Sequence, residues 1–180
     1  MNQAIAIFHP RGISLWLNDL LNSIDTDYPL LITNHKSYQI DALKQTFDKT
    51  DYDEIFFLNE TMIVKDNSVW DIVFKDYYGV TVTFNNRFEM FLAKYLREHI
   101  YKTVFPEVSS RREDIIYGED HWNLKYMASD PNYVIIDEMI DPNPDIDSNH
   151  EYKYGRDNLV LENRYFKKWK HNWNIAMLPA

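Results

Sequence analysis

The alternation of apolar and polar segments predicts three strand–helix units in the first 75 residues. Short apolar runs followed by polar turns indicate buried strands, and apolar positions spaced by three and four residues indicate helix faces. The predicted strands are Ala4–Phe8, Pro29–Thr33 and Glu54–Leu58. The clearest helical stripe consists of Ile13, Trp16, Leu17, Leu20, Leu21 and Ile24. A weaker helix carries Ile40, Leu43 and Phe47, and a third helix runs through Val69, Ile72 and Val73 after Asp66 as N-cap.

The second half of the chain has a less regular pattern. Alternating Val80, Val82 and Phe84 predict a half-buried strand, and a shorter strand is expected at 133–136. Helices are predicted for the stripe Phe88, Phe91, Leu92, Tyr95 and His99, for Arg111 to Met127, and for Gly155 to Trp173. The acidic, proline-containing segment from Asp137 to Glu151 is expected to be a loop.

Strands that alternate with helices predict a single-domain α/β fold over residues 1–180, with a mainly parallel central sheet flanked by helices. In such sheets ligands bind beyond the carboxyl ends of the strands. Three polar segments follow the first three strands, namely His9–Gly12, Asn34–Ser37 and Asn59–Thr61. We therefore expect these segments to converge on one binding site.

Composition narrows the classes of function. A chain of 180 residues with 45% hydrophobic and 16% aromatic residues can build one sizeable core. It has no cysteine, which excludes thiolate catalysis, cysteine-based zinc sites and iron–sulfur clusters and fits a cytoplasmic protein. It has no apolar run long enough to predict a membrane span. The net charge of −9 disfavours non-specific nucleic-acid binding by the chain as a whole.

Several segments resemble nucleotide-sugar glycosyltransferases of the GT-A type. Ala4–Phe8 with the helix at 13–24 resembles their first strand and helix, and Pro29–Thr33 with Asn34 and Ser37 resembles the second strand and its nucleoside-contacting loop. The segment 52–74 resembles the part that carries the metal-binding Asp-x-Asp, and 155–173 resembles the end of small phage or bacterial glycosyltransferases. The resemblance implies a Rossmann-like nucleotide-sugar-binding half at 1–105 and an acceptor half at 106–180.

The sequence departs from the family at the metal-binding motif. Asn59-Glu60-Thr61 stands in the place of Asp-x-Asp, so one carboxylate remains where the family has two. A divalent metal, Mn²⁺ or Mg²⁺, would then be held by Glu60 with phosphate oxygens. The alternatives are a metal-independent enzyme and a degenerate, non-catalytic relative.

The strand-end residues supply candidate contacts to a nucleotide sugar. His9 and Arg11 could contact the diphosphate, and Asn34 and His35 could contact the base or ribose. Asn59 could contact the sugar. For each of these residues the alternative is an ordinary polar turn that satisfies its own backbone.

Two clusters in the second half add candidate chemistry. Glu119 and Asp120 beside Trp122 resemble the acidic pair of an acceptor site, with a carboxylate as general base and an aromatic ring as platform. The alternative is a helix surface with ordinary acidic residues, and Glu113 and Asp114 compete for the same role.

Lys168 and His171 belong to a basic–aromatic cluster near the end of the chain. Lys168 could contact the diphosphate or a nucleic-acid acceptor, and His171 could be a metal ligand by analogy with the family. The alternative is a helix that packs its aromatic face and exposes its lysines.

The leading hypothesis is transfer of a sugar from a nucleoside-diphosphate sugar to a hydroxyl of a glycan or of modified nucleic acid. Two alternatives remain open. One is a non-catalytic module of the same fold that binds a nucleotide or a protein partner. The other is a nucleic-acid-associated protein that uses the basic–aromatic cluster. No P-loop, G-x-G-x-x-G, H-E-x-x-H or G-x-S-x-G motif supports another enzyme class.

Overall fold

The computed structural model describes residues 1–9, 15–33, 39–86, 89–104, 122–136 and 159–169. Its strands are β1 (Gln3–Phe8), β2 (Leu30–Thr33), β3 (Glu54–Asn59), β4 (Met62–Val64), β5 (Val82–Asn86), β6 (Glu89–Leu96), β7 (Val134–Ile135), β8 (Leu159–Glu162) and β9 (Phe166–Trp169). Its helices are α1 (Leu15–Ser23), α2 (Gln39–Lys49), α3 (Val69–Asp71), which continues as a π-helical turn at Ile72–Asp76, α4 (Arg97–Ile100) and α5 (122–128).

A central sheet of six strands has the order β2-β1-β3-β6-β5-β7. Strand β1 is parallel to both β2 and β3, and β5 is parallel to β7. Strand β6 runs antiparallel to both of its neighbours, β3 and β5. The fold is therefore mixed α/β with a central sheet flanked by helices, and the expectation of a mainly parallel sheet holds only in part.

The two faces of the central sheet bury two separate groups of side chains. Ile5 and Ile7 of β1 and Phe56 and Leu58 of β3 belong to the first core, whereas the alternate residues of both strands belong to the second. Such alternation follows from the two-residue repeat of side chains along a strand. Burial on both faces explains why these strands are continuous apolar runs in the sequence.

Helices α1 and α2 cover opposite faces of the sheet. Leu20 of α1 packs in the first core, and Leu43 and Phe47 of α2 pack in the second. From β1 the chain passes to β2 on one side of β1, and from β2 it crosses back to β3 on the other side of β1. Right-handed crossovers in opposite directions place their helices on opposite faces.

Two predicted helices are strands in the structure. Of the predicted stripe, Phe91, Leu92 and Tyr95 lie on β6, an inner strand paired on both sides, whereas His99 lies on α4. The predicted C-terminal helix at 155–173 contains instead the antiparallel strands β8 and β9. Their turn is held by Asn163, whose Oδ1 accepts hydrogen bonds from the backbone N–H groups of Tyr165 (2.9 Å) and Phe166 (2.8 Å).

Strands β8 and β9 form a second sheet with β4, in the order β4-β9-β8. Phe166 of this sheet is fully buried and stacks on Phe56 of β3 with ring centroids 6.1 Å apart. The small sheet therefore closes the first core. Strand β4, which follows β3 directly, is therefore paired with β9, about a hundred residues later in the sequence.

The remaining predicted elements agree with the structure in part. The strand expected at 133–136 is β7, and the helix expected at 111–127 is described only from residue 122 onward. Helix α3 begins after Ser68 and not directly after Asp66. Asp66 instead accepts a hydrogen bond from the backbone N–H of Ser68 (3.0 Å) in the preceding turn. No helix within the described ranges is long and apolar enough to cross a bilayer.

A buried ion pair joins β3 to β6 at the amino end of β3. Lys94 Nζ lies 3.1 Å from Glu54 Oε2, and both side chains are fully buried. The carboxylate also accepts hydrogen bonds from Gln3 Nε2 (2.9 Å) and from the backbone N–H of Gly79 (2.6 Å). Burial lowers the pKa of Lys94, and the Glu54 carboxylate opposes this effect.

Candidate functional site

The carboxyl ends of β1 and β3 form the topological switch point of the sheet. These strands are adjacent, but the chain leaves β1 towards β2 and leaves β3 towards the opposite half of the sheet. The two connections therefore diverge beyond the carboxyl ends of β1 and β3. Ligands of open α/β sheets bind in this position.

An imidazole–carboxylate pair occupies this switch point. Nδ1 of His9 contacts Oε2 of Glu60 in a hydrogen bond between two buried side chains. His9 is 5% exposed and Glu60 is 2% exposed. A carboxylate is rarely buried unless it is paired, so the contact explains how Glu60 is tolerated at this depth.

The register of the sheet brings these two residues together. Phe8 is paired with Asn59 at the ends of β1 and β3, and the next residue on each strand is His9 and Glu60. The backbone extends the ladder by one step, because the N–H of Glu60 donates to the carbonyl of Phe8 (3.1 Å). By the two-residue repeat, both side chains continue the face that carries Ile7 and Leu58.

Strand β2 adds a third contact at the same rim. The backbone N–H of His9 donates to the carbonyl of Thr33 (3.1 Å), and the Thr33 hydroxyl donates to the carbonyl of Ile7 (3.0 Å). The described ends of β1, β2 and β3 therefore lie at one edge, as the sequence predicts. The loops that follow His9 and Thr33 lie outside the described residues.

Asn59, Glu60 and Thr61 make a tight turn from β3 into β4. The side-chain oxygen of Asn59 accepts hydrogen bonds from the Thr61 N–H (3.2 Å) and hydroxyl (3.1 Å). Thr61 is buried, and β4 begins at the next residue, Met62. The turn is thus fixed by local hydrogen bonds, so the backbone of Glu60 is held firmly. A direct contact between Asn59 and a sugar stays a prediction.

Coordination of a divalent metal by Glu60 stays a prediction. No group of three or more histidine, aspartate or glutamate side chains within the described ranges is placed to hold a metal. Glu60 alone still fits the usual mode of Mg²⁺ and Mn²⁺ with substrate phosphates, where one or two carboxylates suffice. A hydrogen bond from His9 would orient the carboxylate, as outer-shell partners do at metal sites.

Six of the predicted site residues lie outside the described residues. They are Arg11, Asn34, His35, Glu119, Asp120 and His171. Their roles at the diphosphate, nucleoside, acceptor and metal remain predictions.

The structure places Trp122 in the second core. Its indole is 2% exposed and packs against Tyr95 and Tyr126, with ring centroids 6.0 Å and 5.3 Å away. A platform for a sugar or base needs an accessible ring face, and this ring does not offer one. Trp122 therefore packs in the second core at the start of α5, and its contact with substrate stays a prediction.

The described part of the basic–aromatic cluster lies on the small sheet, with Lys167 and Lys168 on β9. Lys65 and Lys167 both contact Oε1 of Glu162, at 2.9 Å and 3.1 Å. These hydrogen bonds hold the pKa of Glu162 below its usual range. The two lysines share this one carboxylate, which offsets only one of their two positive charges. Lys168 lies on β9 opposite Met62, and its contact with a diphosphate stays a prediction.

The sequence predicted His9 and Glu60 separately and missed that they form a pair. The sequence does show that each of the two residues follows the apolar run of a predicted buried strand. What the sequence did not specify was the adjacency of β1 and β3 and their register. The buried pair Glu54–Lys94 was missed for the same reason.

Comparisons with known proteins give only distant likenesses. No protein-family model and no curated protein sequence matches the chain. Among solved structures, the chain is similar to A197 from STIV, with 16% identity, a TM-score of 0.48, and 76% of this chain and 82% of that chain covered. It is also similar to a glycosyltransferase involved in the glycosylation of the major capsid of PBCV-1, with 10% identity, a TM-score of 0.45, and 75% and 82% of the two chains covered. At these scores neither likeness identifies a function, and the site itself has to carry the functional conclusion.

Proposed function

We propose that this chain is a glycosyltransferase that binds a nucleoside-diphosphate sugar at the carboxyl ends of β1, β2 and β3. The sugar would pass to a hydroxyl of an acceptor, either a glycan or a modified nucleic acid. The observation that carries the proposal is the buried His9–Glu60 pair at the topological switch point. Such a pair is costly to bury unless the position requires polar chemistry.

The diphosphate leaving group sets the first chemical requirement of the site. Negative charge grows on the diphosphate as the glycosidic bond breaks, so cations or hydrogen-bond donors must stabilise it. In the proposal, Glu60 would hold a divalent ion, which would supply positive charge at the diphosphate. His9 orients the carboxylate through Nδ1, and Arg11 donates to the same phosphates.

Other predicted residues complete the proposed mechanism. Asn34 and His35 follow β2 and would contact the base or ribose. Glu119 and Asp120 would lie in the acceptor half at 106–180, where one carboxylate takes the proton of the acceptor hydroxyl. Asn59, Lys168 and His171 keep their proposed contacts to sugar, diphosphate and metal.

A nucleotide-binding module without turnover is the second candidate. It is favoured by the single carboxylate in the segment that resembles Asp-x-Asp, since that carboxylate already contacts His9. This candidate predicts binding of the nucleotide sugar with no release of nucleoside diphosphate.

Binding and turnover of UDP- and GDP-sugars with Mn²⁺ or Mg²⁺ test the proposal. Calorimetry should detect metal-dependent binding by the wild-type chain, and an assay for nucleoside diphosphate should detect transfer or slow hydrolysis. Glu60→Gln keeps the shape of the side chain and should lose the metal dependence. Glu98→Gln, a change at an exposed carboxylate, is the matched control and should behave as wild type.

The possible results separate the candidates. Binding without any release of nucleoside diphosphate supports the non-catalytic module. Absence of binding to every nucleotide sugar, with and without metal, contradicts both candidates. Unchanged metal dependence in Glu60→Gln would remove Glu60 from the site.

A further inference from the structure

Strand β2 forms one edge of the central sheet, and no strand of the described residues pairs with its outer side. The backbone of β2 pairs with β1 through alternate residues, because Ile5 N–H donates to the Pro29 carbonyl (2.9 Å) and His9 N–H donates to the Thr33 carbonyl (3.1 Å). The backbone groups of Leu30 and Ile32 therefore point away from β1. No strand within the described ranges pairs with them.

The side chains on this edge are apolar and partly exposed. Leu30 is 39% exposed and Ile32 is 47% exposed. Natural proteins usually blunt an open edge with charged residues, proline or a bulge, because unpaired backbone groups bind other strands. The four residues of β2, LLIT, contain none of these devices.

A groove of about 340 Å³ lies between β2 and α2 beside this edge. Gln45 and Lys49 of α2 line the groove. Gln45 Nε2 donates to Asp41 Oδ2 (3.2 Å), and Lys49 Nζ donates to Gln45 Oε1 (3.4 Å). The helix therefore carries a row of side chains that is negative at Asp41, neutral at Gln45 and positive at Lys49.

We propose that a second copy of this chain binds along the β2 edge. The two β2 strands pair antiparallel about a twofold axis that passes between the Leu31 residues of the two copies, so that Leu30 of one copy lies opposite Ile32 of the other. The central sheets of the two copies then become one continuous sheet. This is strand addition between identical edges, in which main-chain hydrogen bonds supply much of the affinity.

The charge row on α2 favours a second copy over an unrelated strand. Helix α2 connects the end of β2 to the start of β3, and these two strands run in the same direction on either side of β1. The helix therefore runs opposite to β2. Under the same twofold axis the two α2 helices run antiparallel with Gln45 near the centre. Asp41 of each copy then faces Lys49 of the other, so the row is complementary to itself. This local match acts against the general repulsion between two chains of net charge −9.

Measurement of molecular mass in solution tests the proposal directly. Light scattering or sedimentation of the full chain should give about twice 21.7 kDa at about 100 µM and the monomer mass on dilution. Ile32→Pro removes only an outward N–H, which an edge strand tolerates, and should give a monomer with the fold intact by circular dichroism. A wild-type monomer at 100 µM, or an Ile32→Pro variant that still dimerises, would overturn the proposal.

A charge swap tests the arrangement of the two α2 helices. Asp41→Lys and Lys49→Asp should each weaken the dimer by about threefold to tenfold, because like charges then face each other. The double variant should restore the affinity. Lys125→Asp makes an equal charge change at an exposed position on α5 and should leave the affinity unchanged, with melting temperatures recorded for all variants. Single variants that dimerise normally, or a double variant that fails to recover, would refute the twofold arrangement.

Discussion

The imidazole of His9 and the carboxylate of Glu60 meet one residue beyond the last paired residues of two adjacent parallel strands. Both side chains are buried, and Nδ1 of His9 is hydrogen-bonded to Oε2 of Glu60. The contact links the end of the first strand to the turn that follows the third. The pair is therefore both a structural contact and the centre of the proposed site.

A double-mutant cycle measures this contact. His9→Ala and Glu60→Ala should each lower the free energy of unfolding by about 1–3 kcal/mol, because each leaves a buried polar partner unsatisfied. The double variant should cost clearly less than the sum, since neither partner is then orphaned. Urea unfolding gives the three values. The exposed pair Lys75 and Asp71 is the control, and its cycle should show no measurable coupling. Additive effects at His9 and Glu60 would mean that the contact is not formed.

Lys94→Met should be among the most destabilising changes in the central sheet. It leaves the Glu54 carboxylate buried without its cation, which typically costs about 3–5 kcal/mol. Adding Glu54→Gln removes the uncompensated charge and keeps an acceptor for the N–H of Gly79, so the double variant should recover much of the loss. Denaturant midpoints report both effects. Lys102→Met changes an exposed lysine and should be nearly neutral; a double variant as unstable as Lys94→Met would contradict the explanation.

Stability at low pH should depend on Asp130. Burial alone would raise the pKa of this carboxyl, but hydrogen bonds from the backbone N–H groups of Thr81 and Asn132 outweigh it and hold the pKa below its usual range. The folded state therefore binds this proton less readily than the unfolded state. The stabilisation is present at neutral pH and is lost as the pH falls through about 4 and below.

Asp130→Asn removes this titration. The difference in unfolding free energy between wild type and variant should be largest near neutral pH and should shrink as the pH falls from about 5 to about 3. Urea titrations at several pH values measure it. Asp19→Asn, at an exposed position, should show a small difference at every pH. A gap for Asp130→Asn that widens in acid would reverse the assigned sign.

Trp122→Ala distinguishes a core residue from a binding platform. Loss of the buried ring should cost about 3–5 kcal/mol, and Trp122→Phe should cost less because part of its packing on Tyr95 and Tyr126 remains. Leu124→Ala, at a 62% exposed position on the same helix, should be nearly neutral. Thermal unfolding and calorimetry with nucleotide sugars check both roles. Normal stability combined with lost sugar binding would support the platform instead.

The first three strands and first two helices could be predicted because local pattern and tertiary structure agree there. Strands β1 and β3 are buried on both faces, so their sequences are uninterrupted apolar runs. The stripes of α1 and α2 repeat at the helical spacing because each helix buries only one side. Polar turns mark the end of each of these strands.

Strand β6 could not be recognised from its own residues. It is an inner strand, so its apolar residues need not alternate, and the spacing of Phe91, Leu92 and Tyr95 also suits a helix. Lys94 interrupts the run with a charge that a buried strand should exclude. Its partner, Glu54, lies 40 residues earlier, so the reason for the lysine appears only in the tertiary structure.

The hairpin of β8 and β9 illustrates a second ambiguity. Tyr165, Phe166 and Trp169 fit a helical spacing as well as they fit a strand. The available signal was Asn163, a residue that favours turns and here accepts hydrogen bonds from the backbone N–H groups of Tyr165 and Phe166.

At the candidate site, the edge of the sheet could be predicted from the ends of the strands. The contact between His9 and Glu60 could not, because it depends on which strands are neighbours.

The pairing of β4 with β9 has a consequence for biosynthesis. Strand β4 is translated just after the turn that carries Glu60. Its hydrogen-bonding partners on β9, residues 166–168, are translated about a hundred codons later. Until then the nascent chain has its first three strands but lacks Phe166, which completes the interior beneath them. The turn that carries Glu60 therefore acquires its final support late in translation, and apolar surface stays open to chaperones or to aggregation in the interval.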